Sequence, residues 1–259
     1  MKDYQGKVMI ITGGAGGMGL VIAKKFLENG AIVYLADINE QLLKNAIEKF
    51  KEYGESINYV LTDVTKVSDI EKLTKTVIKE KGKLDILVNT AGVWVEGDSD
   101  TMTETMWDRT VNVNLKGMFF ACRYAIPELE KTQGCIVNIS SDAGIGGNPG
   151  NCIYNCSKGG VTLMTKSLGL ELAPRRIRVN AIAPADVDTP MLAGQARVYS
   201  GGDEEGYLKS LLVKYPQGQY AKFVQPDEIA ECVYFLASPK VSSITATTLS
   251  IDCGLTAGY

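Results

Sequence analysis

Short apolar runs alternate with segments of helical periodicity along almost the whole chain. Val8-Met9-Ile10-Ile11 is the first run, and it ends in glycines. From Gly19 to Asn29, Val21, Ile22, Phe26 and Leu27 recur at helical spacing, and Gly30 closes the segment. The same alternation continues with strands predicted over 32–36, 57–61, 86–89, 135–139, 178–182 and 247–251. Helices are predicted over 40–53, 68–80, 103–114, 115–131, 154–172 and 226–236. Most of these strands are near-continuous apolar runs rather than alternating apolar and polar. Such runs belong to strands buried on both faces, which is the situation in a parallel sheet covered by helices. The expected fold is therefore α/β, a Rossmann-type doubly wound parallel sheet. No repeat or internal linker interrupts it, and 259 residues suit a single domain over 1–259.

Composition narrows the chemistry mainly by exclusion. The net charge of −3 offers no broad basic field, so neither nucleic acid nor an anionic membrane is an expected partner. No apolar run is long enough to span a bilayer, and the first residues lack signal-peptide architecture. A cytoplasmic protein is expected. Six cysteines form no Cys-x-x-Cys pair, which argues against a zinc or redox motif, and no metal is expected. The chain contains no histidine. Ser-His-Asp and Cys-His catalysis are thereby excluded, and proton transfer near neutral pH falls to a retuned Tyr, Lys, Cys or carboxylate.

Two segments carry candidate chemistry. Thr12-Gly13-Gly14-Ala15-Gly16-Gly17-Met18-Gly19 lies between the first strand and the first helix. In that setting glycines let the backbone turn sharply beside a pyrophosphate, and the helix N-terminus supplies N–H groups to it. A plain glycine-rich turn is the alternative. Asp37 stands 18 residues after Gly19 at the end of the second strand, followed by Ile38. A carboxylate there can accept hydrogen bonds from ribose hydroxyls and repels a 2′-phosphate, which points to NAD rather than NADP. The second segment is Tyr154-Asn155-Cys156-Ser157-Lys158. At i and i+4 the phenol and the ammonium share a helix face, and the ammonium favours the phenolate. The spacing alone equally describes a solvated helix pair.

The ordered set of motifs resembles the short-chain dehydrogenase/reductase family over essentially the whole chain. The glycine loop matches Thr-Gly-x-x-x-Gly-x-Gly, and Asp63-Val64 matches the family's adenine-side pair. Asn89-Thr90-Ala91-Gly92, Asn114-Leu115-Lys116-Gly117, Asn138-Ile139-Ser140-Ser141, the Tyr-Lys pair and Asn180-Ala181-Ile182-Ala183-Pro184 follow in order. The resemblance implies a catalytic tetrad of Asn114, Ser141, Tyr154 and Lys158. In it Tyr154 is the acid/base and Lys158 lowers its pKa and holds the nicotinamide ribose. Ser141 binds the substrate oxygen, and Asn114 anchors a water. It also implies an NAD site at Gly13, Gly17, Met18, Gly19, Asp37, Ile38, Asp63, Val64, Asn89, Ala91, Gly92, Tyr154, Lys158, Pro184, Val187 and Thr189. Thr90 and Ala185 stand where the family usually has Asn and Gly, and Cys253 replaces the first glycine of a terminal pair. Ala185 is strained if its position needs a positive φ.

The resemblance places the substrate against residues 94–98, 142–152 and a lid at about 190–223. Apolar residues there, including Trp94, Val95, Ile145, Met191, Leu192 and Leu211, suit a hydrophobic secondary alcohol or ketone such as a hydroxysteroid. They equally suit packing of the lid itself. A sugar alcohol or small hydroxyketone dehydrogenase, a 3-oxoacyl reductase and a non-catalytic NAD-binding regulator are the alternatives. A homo-oligomer, tetramer or dimer, is implied, paired through helices near 105–131 and 154–172.

Overall fold

The apolar runs become the strands of one seven-stranded sheet, in a computed structural model that describes residues 2–258. The strands are β1 (Val8–Thr12), β2 (Ile32–Asp37), β3 (Ile57–Leu61), β4 (Ile86–Asn89), β5 (Cys135–Ile139), β6 (Arg178–Pro184) and β7 (Thr248–Ile251). All pair in parallel, in the order β3-β2-β1-β4-β5-β6-β7. Every residue of β1, β4 and β5 is buried. Their side chains divide by strand periodicity. Met9 and Ile11 join one apolar layer, and Val8 and Ile10 join the other.

The first layer is completed by α1 (Gly17–Glu28), α2 (Glu40–Lys49) and α9 (Pro226–Ala237), through Ile22, Phe26, Leu43, Ile229 and Val233. The second is completed by α3 (Val67–Lys81), α5 (Met118–Thr132) and α6 (Cys152–Leu172). Side chains as deeply buried as Ile22 and Phe26 each contribute roughly 1.5–3 kcal/mol relative to exposure. Strand order reverses between β1 and β4, so the loops at their C-terminal ends diverge and leave a crevice.

Several expectations shift in detail. The helix over 40–53 stops at Lys49, because Phe50 turns into the core and a separate 3-10 segment, kinked at Gly54 (φ 52°), covers Lys51–Ser56. No chain break separates the helices predicted on either side of Asn114. Instead α4 (Glu104–Val111) runs through a wider π-helical turn, Asn112–Gly117, into α5. The polar 190–223 stretch holds α7 (Pro190–Tyr199) and α8 (Glu204–Leu212), and its base is closed by a parallel bridge between Val187 and Val224. Ala185 does not adopt a positive φ, so the strain considered for it is absent. Cys253 does, at φ 55°. Among the described residues, no helix is long and apolar enough to cross a membrane.

Candidate active site

The glycine loop leaves β1 and enters α1 as a bare cradle. Gly13 sits at φ 65°, and a β-carbon on it would lie 2.7 Å from the backbone of Ala91. The loop thus packs directly against the turn after β4. At the start of α1, Gly16 offers no side-chain cap and the first turn contains no acidic residue, so its N–H groups and positive dipole end stay free for an anion. Asp37, at the end of β2, accepts hydrogen bonds from the Ala15 and Asn39 amides at 3.2 and 3.0 Å. Ile38 beside it is two-thirds exposed. Asp63 accepts from the Thr65 amide and hydroxyl. An anion cradle at one end and a hydroxyl-accepting carboxylate at the other suit an adenine dinucleotide.

The Asn89 side chain turns away from the cleft. Its side chain is fully buried and committed to the protein, accepting from Thr12 Oγ1 and donating to Asn138 Oδ1 and Cys122 Sγ. It braces β1, β4 and β5 beneath the loop instead of facing the cleft. Thr90 uses the hydroxyl it retains to donate to the Thr12 carbonyl at 2.6 Å.

A cleft of about 600 Å3 opens above the C-terminal ends of β4, β5 and β6. Ser141, Tyr154 and Lys158 all line it, with Met18, Gly92 and Pro184 on the cradle side. Ser141 caps the short turn after β5, and Ser140 instead hydrogen-bonds the Lys158 carbonyl on α6. Gly144 makes this packing possible, since a β-carbon there would lie 2.6 Å from that same carbonyl oxygen. Lys158 Nζ donates to the Ile139 carbonyl at 2.9 Å and lies 5.7 Å from the Tyr154 ring centre. Burial lowers the Lys158 ammonium to about 8. Burial also pushes the Tyr154 phenol well above its ordinary value, opposed by the nearby Ser141 hydroxyl. Asn114, in the π-helical turn, clasps Val93 through both its amide and its carbonyl, and donates to Ser157 Oγ. Asn114 Oδ1 and Lys158 Nζ converge on Gly92, 3.5 and 3.7 Å from where a β-carbon on it would sit.

Residues 7–198 match the short chain dehydrogenase family. The chain belongs to that family. It is 37% identical to a 3-oxoacyl-(acyl-carrier-protein) reductase of Thermotoga maritima, over 97% of this chain and 98% of that one. It is 35% identical to a cyclopentanol dehydrogenase of Comamonas, over 99% and 100%. The solved actinorhodin polyketide ketoreductase, crystallised with NADPH, superposes with a TM-score of 0.91 at 34% identity, covering 97% of each chain. This short chain dehydrogenase is accordingly an oxidoreductase of alcohols and ketones that works with a nicotinamide cofactor.

The substrate side of this short chain dehydrogenase holds features that the sequence motifs did not single out. Among the described residues three carboxylates line the cleft, each from a different loop: Glu96 after β4, Asp142 after β5 and Asp186 after β6. Asp142 Oδ1 accepts the Ser141 hydroxyl at 2.6 Å. Asp186 Oδ2 accepts from Tyr215 Oη at 3.0 Å, and Glu96 Oε2 from Tyr207 Oη at 2.7 Å. Burial, reinforced by the charge of Asp142, raises the Asp186 carboxyl to about 6. The available signal for Asp186 was an acidic residue two positions after an apolar strand end, between Pro184 and Val187. Of the apolar residues expected here, Trp94, Ile145, Met191, Leu192 and Leu211 do line the cleft, whereas Val95 is buried behind it with Ile153.

Proposed function

We propose that this protein is an NAD-dependent dehydrogenase/reductase of a secondary alcohol and its ketone, with Tyr154 as acid/base. The convergence of Ser141, Tyr154 and Lys158 at one end of the cleft, with Asn114 buried behind Gly92, carries the reading. NAD, when bound, supplies the hydride acceptor. In the oxidising direction Tyr154 Oη, as phenolate, takes the proton of the substrate hydroxyl. The Lys158 ammonium stabilises that phenolate, and because burial lowers its own pKa to about 8, it can also release a proton near neutral pH. Ser141 holds the substrate oxygen, while Asn114 fixes the Val93 backbone and positions a water beside Lys158. In the reducing direction the same phenol returns the proton. The lid formed by α7 and α8 keeps bulk water from the reacting atoms.

Cofactor choice rests on Asp37. Its carboxylate faces the loop that would carry the adenosine ribose, and residues 13–19 contain no Arg or Lys to offset a 2′-phosphate. Gly13, Gly17, Met18, Gly19, Ile38, Asp63, Val64, Ala91, Gly92, Pro184, Val187 and Thr189 complete the cofactor's surroundings, and Asn89 supports them from below. A cytoplasmic homo-oligomer, tetramer or dimer, is the form proposed in solution. The test is steady-state turnover of cyclic and open-chain secondary alcohols with NAD and with NADP. A preference for NAD of at least about tenfold is expected, since a like charge beside the 2′-phosphate is worth more than 1 kcal/mol in a partly shielded site. A preference for NADP overturns the assignment of Asp37.

A further inference from the structure

Part of the cleft wall is built to accept hydrogen bonds. Asp186 and Glu96 each receive a phenol on one oxygen, from Tyr215 and Tyr207. Among the described residues no hydrogen bond reaches Asp186 Oδ1 or Glu96 Oε1. Asp142 takes the Ser141 hydroxyl on one oxygen and only a long contact, 3.4 Å, from Asn148 on the other. Among the described residues, Lys214 is the one cation that lines the cleft beside Lys158. Carboxylate oxygens that face the cleft are hydrated in the free protein, and covering them is costly unless the occupant brings donors of its own. An apolar ring does not, and an anionic group would be repelled by three carboxylates.

We infer that the substrate is a neutral polyhydroxylated alcohol or its ketone, with one carbinol at Tyr154 and further hydroxyls donating to Asp186 and Glu96. The proposal rests on the dehydrogenase reading above and adds the class of substrate. A second feature agrees with it. The Trp94 indole packs against the Tyr154 ring, with centroids 4.2 Å apart, and also lines the cleft. A carbon ring can lay its C–H face there while hydroxyls at its rim meet the carboxylates. An ammonium is the competing occupant, because the carboxylates that repel an anion attract a cation, and the neutral donors already on them, a phenol, an indole, a serine hydroxyl and an amide, show only that this wall accepts such groups. Lys214 already offsets part of the charge around Asp186.

The test compares cyclohexanol, a steroid alcohol, 1,2-cyclohexanediol, myo-inositol and 2-aminocyclohexanol as substrates with the preferred cofactor. The expected result is a kcat/KM for the diol or the polyol at least about tenfold above cyclohexanol, because a site that hydrogen-bonds a substrate hydroxyl rejects the analogue lacking it. In Asp186→Asn, whose amide keeps the shape but presents a weaker acceptor, that ratio should fall by about tenfold, as loss of a hydrogen bond to a charged group implies. Glu96→Gln should lower the ratio in the same direction, and the wild-type ratio stands by itself if either variant fails to fold. Cyclohexanol or the steroid turning over as well as the diol and polyol overturns the substrate class and leaves the dehydrogenase reading intact. A preference for the amino alcohol over the diol also overturns it, in favour of a cation. An unchanged ratio in both variants removes the assigned hydroxyl contacts. If no alcohol or ketone is turned over, the dehydrogenase reading fails and the substrate class fails with it.

Discussion

The two sides of the cleft are made in different ways. On the cofactor side, shape is set by backbone. Gly13 and its neighbours let β1, the turn after β4 and the start of α1 meet without side chains between them, and what they present is N–H groups. On the substrate side, character is set by side chains at the tips of three loops. Glu96, Asp142 and Asp186 bring acceptors there, and tyrosines from the 190–223 segment hold two of them. A backbone cradle serves one common ligand, whereas loop-tip side chains can be exchanged without disturbing the sheet. The seam between the two sides is α6, which carries Tyr154 and Lys158.

The largest expected effect is at that seam. Tyr154→Phe retains the ring against Trp94 but has no proton to exchange, so kcat should fall by roughly 100- to 10,000-fold, the usual range for loss of an acid/base. NADH affinity, measured by fluorescence quenching, should stay within a few-fold, because the cradle is untouched. A variant that keeps most of its turnover would place the proton transfer elsewhere and dissolve the seam. The wild type should also show alcohol oxidation rising with pH, since burial raises the phenol that must lose its proton. Ketone reduction should fall over the same range.

The cofactor side was far more legible in the sequence than the substrate side, and the physical reason is the same contrast. Glycine at Gly13 is demanded by a positive φ and a backbone 2.7 Å away, so residue type reports geometry directly. The central strands were equally plain because burial on both faces makes most of their positions apolar. Asp186 has no such local signature. Its meaning comes from Tyr215, 29 positions later, and from Asp142 on another loop. Asn89 shows the converse, a motif residue whose burial gives it a bracing place that spacing could not reveal. The π-helical turn at Asn112–Gly117 was visible in the sequence only as a boundary between helices over 103–114 and 115–131.

A second, smaller effect tests the backbone side alone. Gly13→Ala places a β-carbon against Ala91 at a φ that alanine rarely adopts, so stability should drop by about 3 kcal/mol from overpacking and strain together. NADH binding should weaken more than the melting temperature alone explains, because the loop must move off the turn after β4. Unchanged binding and stability would mean that the loop has slack and that its glycines are not what shapes the cradle.

The smallest effect distinguishes the acidic side by its sign. Asp186 is raised from an ordinary 3.8 to about 6, first by burial and then by Asp142 and Glu96, while Tyr215 and Lys214 oppose the shift. A carboxyl raised in the folded state prefers to be protonated there. Its contribution is fully favourable below about pH 4 and is lost as pH rises through about 6, so the ionised group destabilises the fold at neutral pH. The whole shift corresponds to about 3 kcal/mol at 1.36 kcal/mol per pH unit, and an amide that is itself poorly solvated recovers only part of it. Asp186→Asn should therefore stabilise the protein by about 1–2 kcal/mol at pH 7.5, read by urea unfolding, with the gain shrinking towards zero at pH 4. Gly13→Ala carries no such pH dependence, because no titrating group is involved. If Asp186→Asn is neutral or destabilising at pH 7.5, the carboxylate is already satisfied in the free protein, and the substrate wall is no more strained than the cradle opposite it.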